Sequence, residues 1–272
     1  MLSSLPLALL LALSQPAMAS NSNLIQVSED LSPYGDPLIQ YEGPNSLLEI
    51  WTEEAEACTQ QNPLTRPQRV VKSCSLALND RVLEAAWPLF YTQRAIAYHR
   101  LHRPQNMRHD AEAARTGAKE HMLKDVANRF GAAQLWDEHR KTMDALIAQT
   151  QSAYHARDFC DVLITRQEID LAVTYCERAY QIEPTSNAVL YTLTYVYNLA
   201  KRGKDARRIA QEGLTLYPSS VPLMYEMAWA IAISGDQEGA IAYATDAYAR
   251  ASSAGLIQAE LLQEFLEKAR AW

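Results

Sequence analysis

The amino-acid sequence predicts an all-α fold built from helical hairpins that repeat along the chain. Glycine is scarce, at nine of 272 residues, and no run of alternating apolar and polar residues is bounded by turn pairs such as Asn-Gly. These two features favour helices over strands. The third observation is a spacing of thirty-four residues, because Cys58 and Cys160 are three such intervals apart, and so are Cys74 and Cys176. A single repeating unit would explain both spacings.

The same period recurs in the C-terminal half, where small residues and prolines follow it. Ala172, Ala206 and Ala240 are thirty-four residues apart, and Pro184 and Pro218 share that spacing. Each alanine lies in a segment of about three helical turns, and each proline ends its helix because proline cannot continue one. Small side chains at one fixed position predict that another helix approaches closely there.

The segments between these helices carry apolar residues at helical spacing. Their sequences are NAVLYTLTYVYNLA and VPLMYEMAWAIAIS. The predicted buried faces contain Leu190, Leu193, Tyr197 and Ala200 in the first segment, and Met224, Met227, Ala228 and Ile231 in the second. Each unit is thus predicted to be a hairpin of two helices that buries its apolar face only against neighbouring hairpins.

The period, the alanines, the prolines and the sequence SGDQEGAI at residues 234–241 resemble the tetratricopeptide repeat (TPR) family. The resemblance covers residues 153–254 as three repeats. It implies a right-handed solenoid of helix-turn-helix hairpins, in which the first helix of each repeat lines an inner groove.

Residues 45–152 are predicted to form more divergent hairpins of the same kind. Residues 92–114 resemble a repeat in which Met107 replaces the usual alanine and the frame is shifted by three residues. Further along, Glu138 occupies the alanine position counted back from Ala172. We therefore expect the hairpin that contains Glu138 to depart from the family pattern.

The two ends of the chain are predicted to lie outside the repeats. Residues 1–19 combine an apolar run, no charged side chain and a final Ala-Met-Ala, which is typical of a secretory signal peptide. The mature chain is accordingly expected to be periplasmic or secreted. Residues 20–44 are polar, with three prolines and two glycines, and are predicted to be a linker or extended arm. Residues 255–272 are predicted to form a capping helix with apolar Leu256, Leu261, Leu262 and Phe265.

Four cysteines in an exported chain predict disulfide bonds, although four cysteines allow three pairings. The resemblance to the TPR family places Cys58 and Cys160 at the small-residue position of a first helix, and Cys74 and Cys176 on the facing side of the second helix. This placement implies the pairs Cys58–Cys74 and Cys160–Cys176, each closing one hairpin. A redox-active pair is the alternative, and it is disfavoured because reactive pairs normally lie close in sequence at a helix N-terminus.

The sequence contains none of the more specific catalytic signatures and indicates no cofactor. The motifs HExxH, GxSxG, GxxxxGK[ST] and CxxC are absent, and the formal net charge of -7 disfavours general attraction to nucleic acid. The chain is therefore predicted not to be an enzyme and not to bind nucleic acid.

One alternative is an accessory subunit or small metal-dependent enzyme in envelope assembly that uses the region between His99 and His155. His99 and His102 are one helical turn apart, and His109 with Asp110 follows, so two histidines could share a metal if a third ligand folded back. The preferred interpretation is a polar turn with solvated histidines, because structural zinc sites usually have tighter and more numerous ligands.

A basic cluster interrupts the acidic chain at one predicted turn. It consists of Lys201, Arg202, Lys204, Arg207 and Arg208. A solvated turn is the preferred interpretation of this run, and a site for an acidic partner or a lipid headgroup is the alternative.

The resemblance to the TPR family also implies the residues of a partner-binding groove on the first helices. They are Arg157, Asp161, Tyr191, Tyr195, Asn198, Tyr225 and Trp229. Aromatic rings at helical spacing often belong to the core, but Tyr and Trp are also the residue types that anchor interfaces. Family members that bind a free C-terminal carboxylate use Lys and Asn in this groove, and Tyr191 and Tyr195 depart from that pattern. The predicted function is an exported scaffold that binds an extended or helical segment of another envelope protein.

Overall fold

The N-terminal unit of the chain, Met1–Thr52, contributes two short strands to the computed structural model. The structure describes residues 27–31, 37–39, 53–256 and 258–271. Strand β1, Val27–Leu31, pairs antiparallel with β2, Pro37–Ile39, and the register is irregular between the ends of the ladder. Both strands fall within the segment predicted to be a linker or extended arm. The predicted signal peptide lies outside the described residues.

In the second unit, Glu53–Trp272, helices joined by short turns are the regular secondary structure of the described residues. The helices are α1 Glu53–Gln60, α2 Pro67–Ala77, a 3₁₀ helix Arg81–Ala86, α3 Trp87–Arg100, α4 Pro104–Thr116, α5 Glu120–Ala132, α6 Trp136–Thr150, α7 Ala153–Thr165, α8 Ile169–Ile182, α9 Asn187–Leu199, α10 Gly203–Leu216, α11 Val221–Ile233, α12 Gln237–Ser253 and α13 Glu260–Ala269. Helices α1 to α12 pack as six consecutive hairpins, and α13 packs against α11 and α12. This arrangement confirms the predicted all-α solenoid of hairpins with a capping helix. No helix in the described part of the chain combines the length and apolar character needed to cross a membrane.

The period of thirty-four residues is visible in the positions at which the helices of the last three hairpins begin. The first helices of these hairpins begin at Ala153, Asn187 and Val221. The second helices begin at Ile169, Gly203 and Gln237, again at intervals of thirty-four residues. The fourth residue of each second helix is therefore one of the three alanines that the sequence analysis aligned, and all three are fully buried. A larger side chain at these positions would push two packed helices apart.

The hairpin of α5 and α6 begins thirty-three residues before the hairpin of α7 and α8, rather than thirty-four. This shift corrects the sequence-based alignment, because His139, and not Glu138, is the fourth residue of its second helix. Gly131 on α5 makes room for the His139 ring, since a Cβ added to Gly131 would lie 2.8 Å from His139 Cε1. The ring also stacks on Phe159, with 5.1 Å between the ring centroids. Glu138 is buried beside Arg115 and Lys141, which both bond to its carboxylate.

The capping helix covers the apolar face of the last hairpin. Leu262 and Phe265 on α13 are fully buried. Phe265 belongs to one cluster with Met227 and Ala244, and Leu262 packs with Val221 in another. The sequence-based prediction of a cap is confirmed, because without α13 these apolar surfaces would face solvent.

Two disulfide bonds join the cysteines in the predicted pairs. Cys58 on α1 bonds to Cys74 on α2, with 4.7 Å between their Cα atoms, and Cys160 on α7 bonds to Cys176 on α8, with 5.5 Å. These two bonds account for all four cysteines of the chain. The Cys58–Cys74 bond closes the hairpin at the N-terminal end of the helical unit. The Cys160–Cys176 bond closes a hairpin near its middle.

We expect the two disulfides to stabilise different parts of the solenoid. Closing a loop of about fifteen residues contributes roughly 3 kcal/mol in the chain-entropy model. Because hairpins contact mainly their neighbours, the Cys58→Ala/Cys74→Ala variant should lose hydrogen-exchange protection mostly in α1 and α2. The Cys160→Ala/Cys176→Ala variant should lose protection in α7 and α8 and in the hairpins on both sides. Equal loss along the whole chain in both variants would contradict this expectation.

A substitution at Gly131 tests the corrected alignment of α5 and α6. Gly131→Ala should destabilise the chain by about 1–3 kcal/mol in urea unfolding, because the new methyl group overlaps the stacked His139 ring. His139→Ala leaves a cavity on its own, but in the double variant it removes the overlap. The cost of Gly131→Ala should therefore nearly disappear in a His139→Ala background. Strictly additive costs would show that the two residues do not meet.

Candidate partner-binding groove

The first helices of the last three hairpins present two parallel rows of side chains. The fifth residues of α7, α9 and α11 are Arg157, Tyr191 and Tyr225, and the ninth residues are Asp161, Tyr195 and Trp229. Residues four apart lie on the same face of a helix, so both rows follow one face of the solenoid. All six side chains are partly buried. We call these six residues the groove rows; they contain every residue of the predicted groove except Asn198.

Tyrosine rings occupy the centre of the groove rows. The rings of Tyr191 and Tyr195 are almost parallel, with 6.4 Å between their centroids and 7° between their planes. Within the described residues, neither of these two hydroxyl groups has a hydrogen-bond partner. Burial raises the pKa of both Tyr191 and Tyr195, with smaller contributions from nearby Glu226 and Asp161. Both hydroxyls therefore stay protonated and can donate as well as accept a hydrogen bond.

The capping helix covers the C-terminal end of the groove rows. The ring of Phe265 meets the Trp229 ring edge to face at a centroid distance of 5.0 Å, and the Tyr225 ring at 6.4 Å. Trp229 and Tyr225 also contact each other, with 6.3 Å between centroids. These two rings therefore contribute to holding α13.

Asn198 is buried and links two first helices, α9 and α11. Its Nδ2 donates to the backbone oxygen of Glu226 at 2.9 Å and to Glu226 Oε2 at 2.8 Å. Asn198 and Glu226 are only 5% and 2% exposed. The structure thus places the predicted groove residue Asn198 in the interior, where its amide is already bound to Glu226.

Glu226 is a functional candidate that the sequence analysis missed. It is the only charged residue in the otherwise apolar helix α11, and that isolation was the signal that could have identified it. Burial raises the pKa of Glu226 to about 7, although the bond from Asn198 acts in the opposite direction. A buried carboxyl group that changes charge near neutral pH is more frequent at functional sites than elsewhere.

Asp161 is a second acid with a perturbed pKa in the same region. Burial raises its pKa to about 6, while Arg157 lowers it and Asp158 raises it further. Among the described residues, no hydrogen bond or ion pair is made by the Asp161 side chain. The Arg157 guanidinium lies over the Tyr154 ring at 5.7 Å, and its buried Nε has no partner in the described part of the chain.

The predicted histidine cluster does not assemble a metal site from described residues. His99, His102 and His109 are exposed, and His109 lies 3.4 Å from Asp110, which is bound to Arg94. No group of three or more His, Cys, Asp or Glu side chains with metal-binding proximity occurs among the described residues. His155 is buried on α7, with its Nε2 3.6 Å from Glu120 Oε1.

The basic cluster surrounds the turn between α9 and α10, on the surface. Arg202 is the best-connected member, because it bonds to Asp205 at 2.8 Å and to Glu177 at 3.2 Å and lies over the Tyr197 ring at 4.4 Å. Lys201, Lys204, Arg207 and Arg208 are exposed. Arg208 on α10 lies 4.0 Å from Glu212, so the structure shows both Arg202 and Arg208 engaged within the chain, on a solvated surface.

Comparisons with known proteins give remote structural likenesses. No protein-family model and no curated protein matches the chain. The MamA protein is similar at 11% identity over 63% of this chain and 96% of that chain, with a TM-score of 0.44. The C-terminal part of a TPR repeat-containing protein from Cytophaga hutchinsonii is similar at 17% identity over 70% and 76%, with a TM-score of 0.46. PilW, a widely conserved type IV pilus biogenesis factor, is similar at 17% identity over 71% and 87%, with a TM-score of 0.42. Likenesses at this level carry no argument about function.

The buried acid predicts a stability that falls as pH rises. Unfolded Glu226 releases its proton near its ordinary pKa of 4.5, whereas the folded chain keeps it until about pH 7. The free energy of unfolding therefore falls by on the order of 2–3 kcal/mol between about pH 4.5 and 7, and the raised pKa of Asp161 acts in the same direction. Glu226→Gln is neutral at every pH and should lose most of this dependence in thermal melts at pH 5 and pH 8. The exposed control Glu238→Gln should keep it, and an unchanged slope in Glu226→Gln would contradict the assignment.

Proposed function

We propose that the chain is a non-catalytic protein-binding module whose groove rows hold an extended or helical segment of another protein. The observation that supports this proposal best is the pair of stacked rings, Tyr191 and Tyr195. They are partly buried, fixed on adjacent turns of α9, and their hydroxyl groups have no partner among the described residues. Rigid tyrosines with an apolar ring and an accessible polar end are typical anchors of interfaces.

We further propose that the module works in the cell envelope. Two features support this location: the predicted signal peptide at residues 1–19 and the two disulfide bonds. Structural disulfides form and persist in oxidising compartments and are rare in the cytosol. The expected partner is therefore another envelope protein.

We prefer a binding role to the metal-dependent alternative because of where the candidate side chains lie. The exposed histidines His99, His102 and His109 would need a ligand set that the described residues do not bring together. The groove rows, in contrast, combine fixed aromatic rings with polar groups on one continuous face.

Site-specific crosslinking in intact cells tests the binding role. A photoreactive amino acid at Tyr195 should form an adduct with one partner protein, because the ring lies in the groove rows. The matched control is Tyr217, whose exposed ring lies at the end of α10 and whose hydroxyl donates to the Thr185 backbone oxygen at 2.6 Å. Tyr191→Ala should reduce the Tyr195 adduct, because losing a buried aromatic anchor typically costs about 2 kcal/mol, or roughly thirtyfold in affinity. Equal adducts from Tyr195 and Tyr217 would contradict the proposal.

A further inference from the structure

The buried histidines of the chain lie at one junction between hairpins. Of the six histidines, four are exposed: His99, His102, His109 and His121. The other two, His139 on α6 and His155 on α7, are buried. Both lie where the α5–α6 hairpin meets α7, because His139 stacks on Phe159 and His155 lies 3.6 Å from Glu120 at the start of α5. Side chains that change charge near neutral pH are therefore concentrated inside a single contact between hairpins.

The His139 ring is enclosed between two neighbouring helices. It stacks on Phe159 of α7, with 5.1 Å between the ring centroids and 17° between the planes. A Cβ added to Gly131 of α5 would overlap His139 Nδ1 and lie 2.8 Å from Cε1, so this ring edge faces the α5 backbone. The buried Nδ1 has no hydrogen-bond partner in the described part of the chain. We call the contact of His139 with Gly131 and Phe159 the His139 joint.

Protonation of His139 is unfavourable while this joint is closed. A neutral imidazole has one N–H donor, whereas the protonated ring has two donors and a positive charge, and the closed joint offers no acceptor at Nδ1. The nearest cation also opposes the charge. The Arg166 guanidinium lies 3.5 Å from the centroid of the Trp136 ring, and that centroid is 5.7 Å from the centroid of the His139 ring.

The charged groups around the joint do not supply a partner for a protonated His139. Burial lowers the pKa of His139 most, Arg166 lowers it further, and Asp158 on α7 raises it. The remaining acidic and basic residues within one helical turn of the joint are Arg129 on α5, Asp137, Glu138, Arg140 and Lys141 on α6, and His155, Arg157 and Asp161 on α7. None of the carboxylates among them is bonded to His139 Nδ1.

His155 differs from His139 because it has an acceptor nearby. Its Nε2 lies 3.6 Å from Glu120 Oε1, and the Glu120 side chain is largely exposed. A protonated His155 can therefore form a charge-assisted bond with Glu120 without opening the contact between the hairpins. The acid response of this junction is accordingly assigned to His139.

We propose that the His139 joint is an acid-sensitive hinge between the α5–α6 hairpin and the α7–α8 hairpin. The joint stays closed while His139 is neutral, and it opens when the ring takes up a proton, because water solvates the charged ring only in the open form. α7 carries Arg157 and Asp161 at the N-terminal end of the groove rows, so opening also displaces that end of the groove. The hinge itself does not depend on the proposed function.

The direction of the pH dependence follows from the two forms of His139. In the open form its pKa returns to the ordinary value of 6.5, whereas burial and Arg166 hold the pKa lower in the closed form. The open form therefore binds more protons once the pH falls below about 6.5, and acid favours opening. If the closed form takes up no proton, opening becomes about thirtyfold more favourable at pH 5.0 than at pH 7.5.

Hydrogen exchange of the intact protein at pH 7.5 and pH 5.0 tests this hinge. After correction for intrinsic exchange rates, opening of α6 and α7 should increase about tenfold or more at pH 5.0. His139→Phe keeps an aromatic ring that cannot be protonated, and it should remove most of this increase. The matched control His121→Phe, at an exposed position of α5, should retain it. The raised pKa values of Asp161 and Glu226 act in the opposite direction in all three proteins, so the comparison isolates His139.

Nuclear magnetic resonance of the unsubstituted protein provides a second measurement that needs no variant. The His139 ring signal, identified by its proximity to the Phe159 ring, should titrate at a lower pH than the signal of the exposed His121. Thermal melts at pH 7.5 establish that His139→Phe is folded, and His139→Leu replaces it if the larger ring is not accommodated.

Three results would overturn the hinge. The first is a His139 signal that titrates together with His121, and the second is an equal increase of exchange in the unsubstituted protein and the His139 variant. The third is an increase at pH 5.0 that is as large in α9 to α12 as in α6 and α7, because that would be a loosening of the whole solenoid. None of these results bears on partner binding at Tyr195, so the hinge and the proposed function fail separately.

Discussion

The close approach of neighbouring helices is the constraint on which the rest of this structure depends. In each of the last three hairpins, the fourth residue of the second helix is a fully buried alanine, at positions 172, 206 and 240. A small side chain lets two helices pack at a short distance, which buries apolar surface between them and adds dispersion contacts. Because every hairpin packs against the next one, the same distance between helices recurs along the chain. The first helices therefore lie side by side in a regular row.

The upstream hairpins satisfy the same constraint with different side chains. His139 stands at the position of the alanine, and Gly131 on the facing helix leaves the space that the larger His139 ring needs. In the preceding hairpin, Arg94 on α3 forms two bonds, of 2.7 and 2.9 Å, with the buried Asp110 on α4. A buried ion pair of this geometry holds two helices only while both partners are present. Divergence from the alanine pattern of the last three hairpins is therefore matched by other contacts between facing helices.

The groove region contains polar groups that packing alone does not require. Glu226 is almost completely buried, and its charged form is disfavoured by burial, although Asn198 donates to it. An apolar residue on α11 would avoid that cost. Natural sequences tolerate such local costs most often at functional sites. Glu226 also contributes to the raised pKa of both Tyr191 and Tyr195 on the neighbouring first helix.

The sequence by itself determined the hairpin repeat and the capping helix, because both depend on local spacing. The two cysteine pairings were implied by the resemblance to the TPR family, and in the structure Cys160 and Cys176 lie on the two helices of one hairpin. Tertiary structure alone decided that Asn198 turns inward to Glu226, that Phe265 covers Trp229, and that His139 replaces Glu138 at the helix contact. These outcomes depend on contacts between separate helices and on a repeat that is shorter by one residue. Helical periodicity says which face a side chain occupies, but the neighbouring helix decides whether that face meets solvent, a cap or a hydrogen-bond partner.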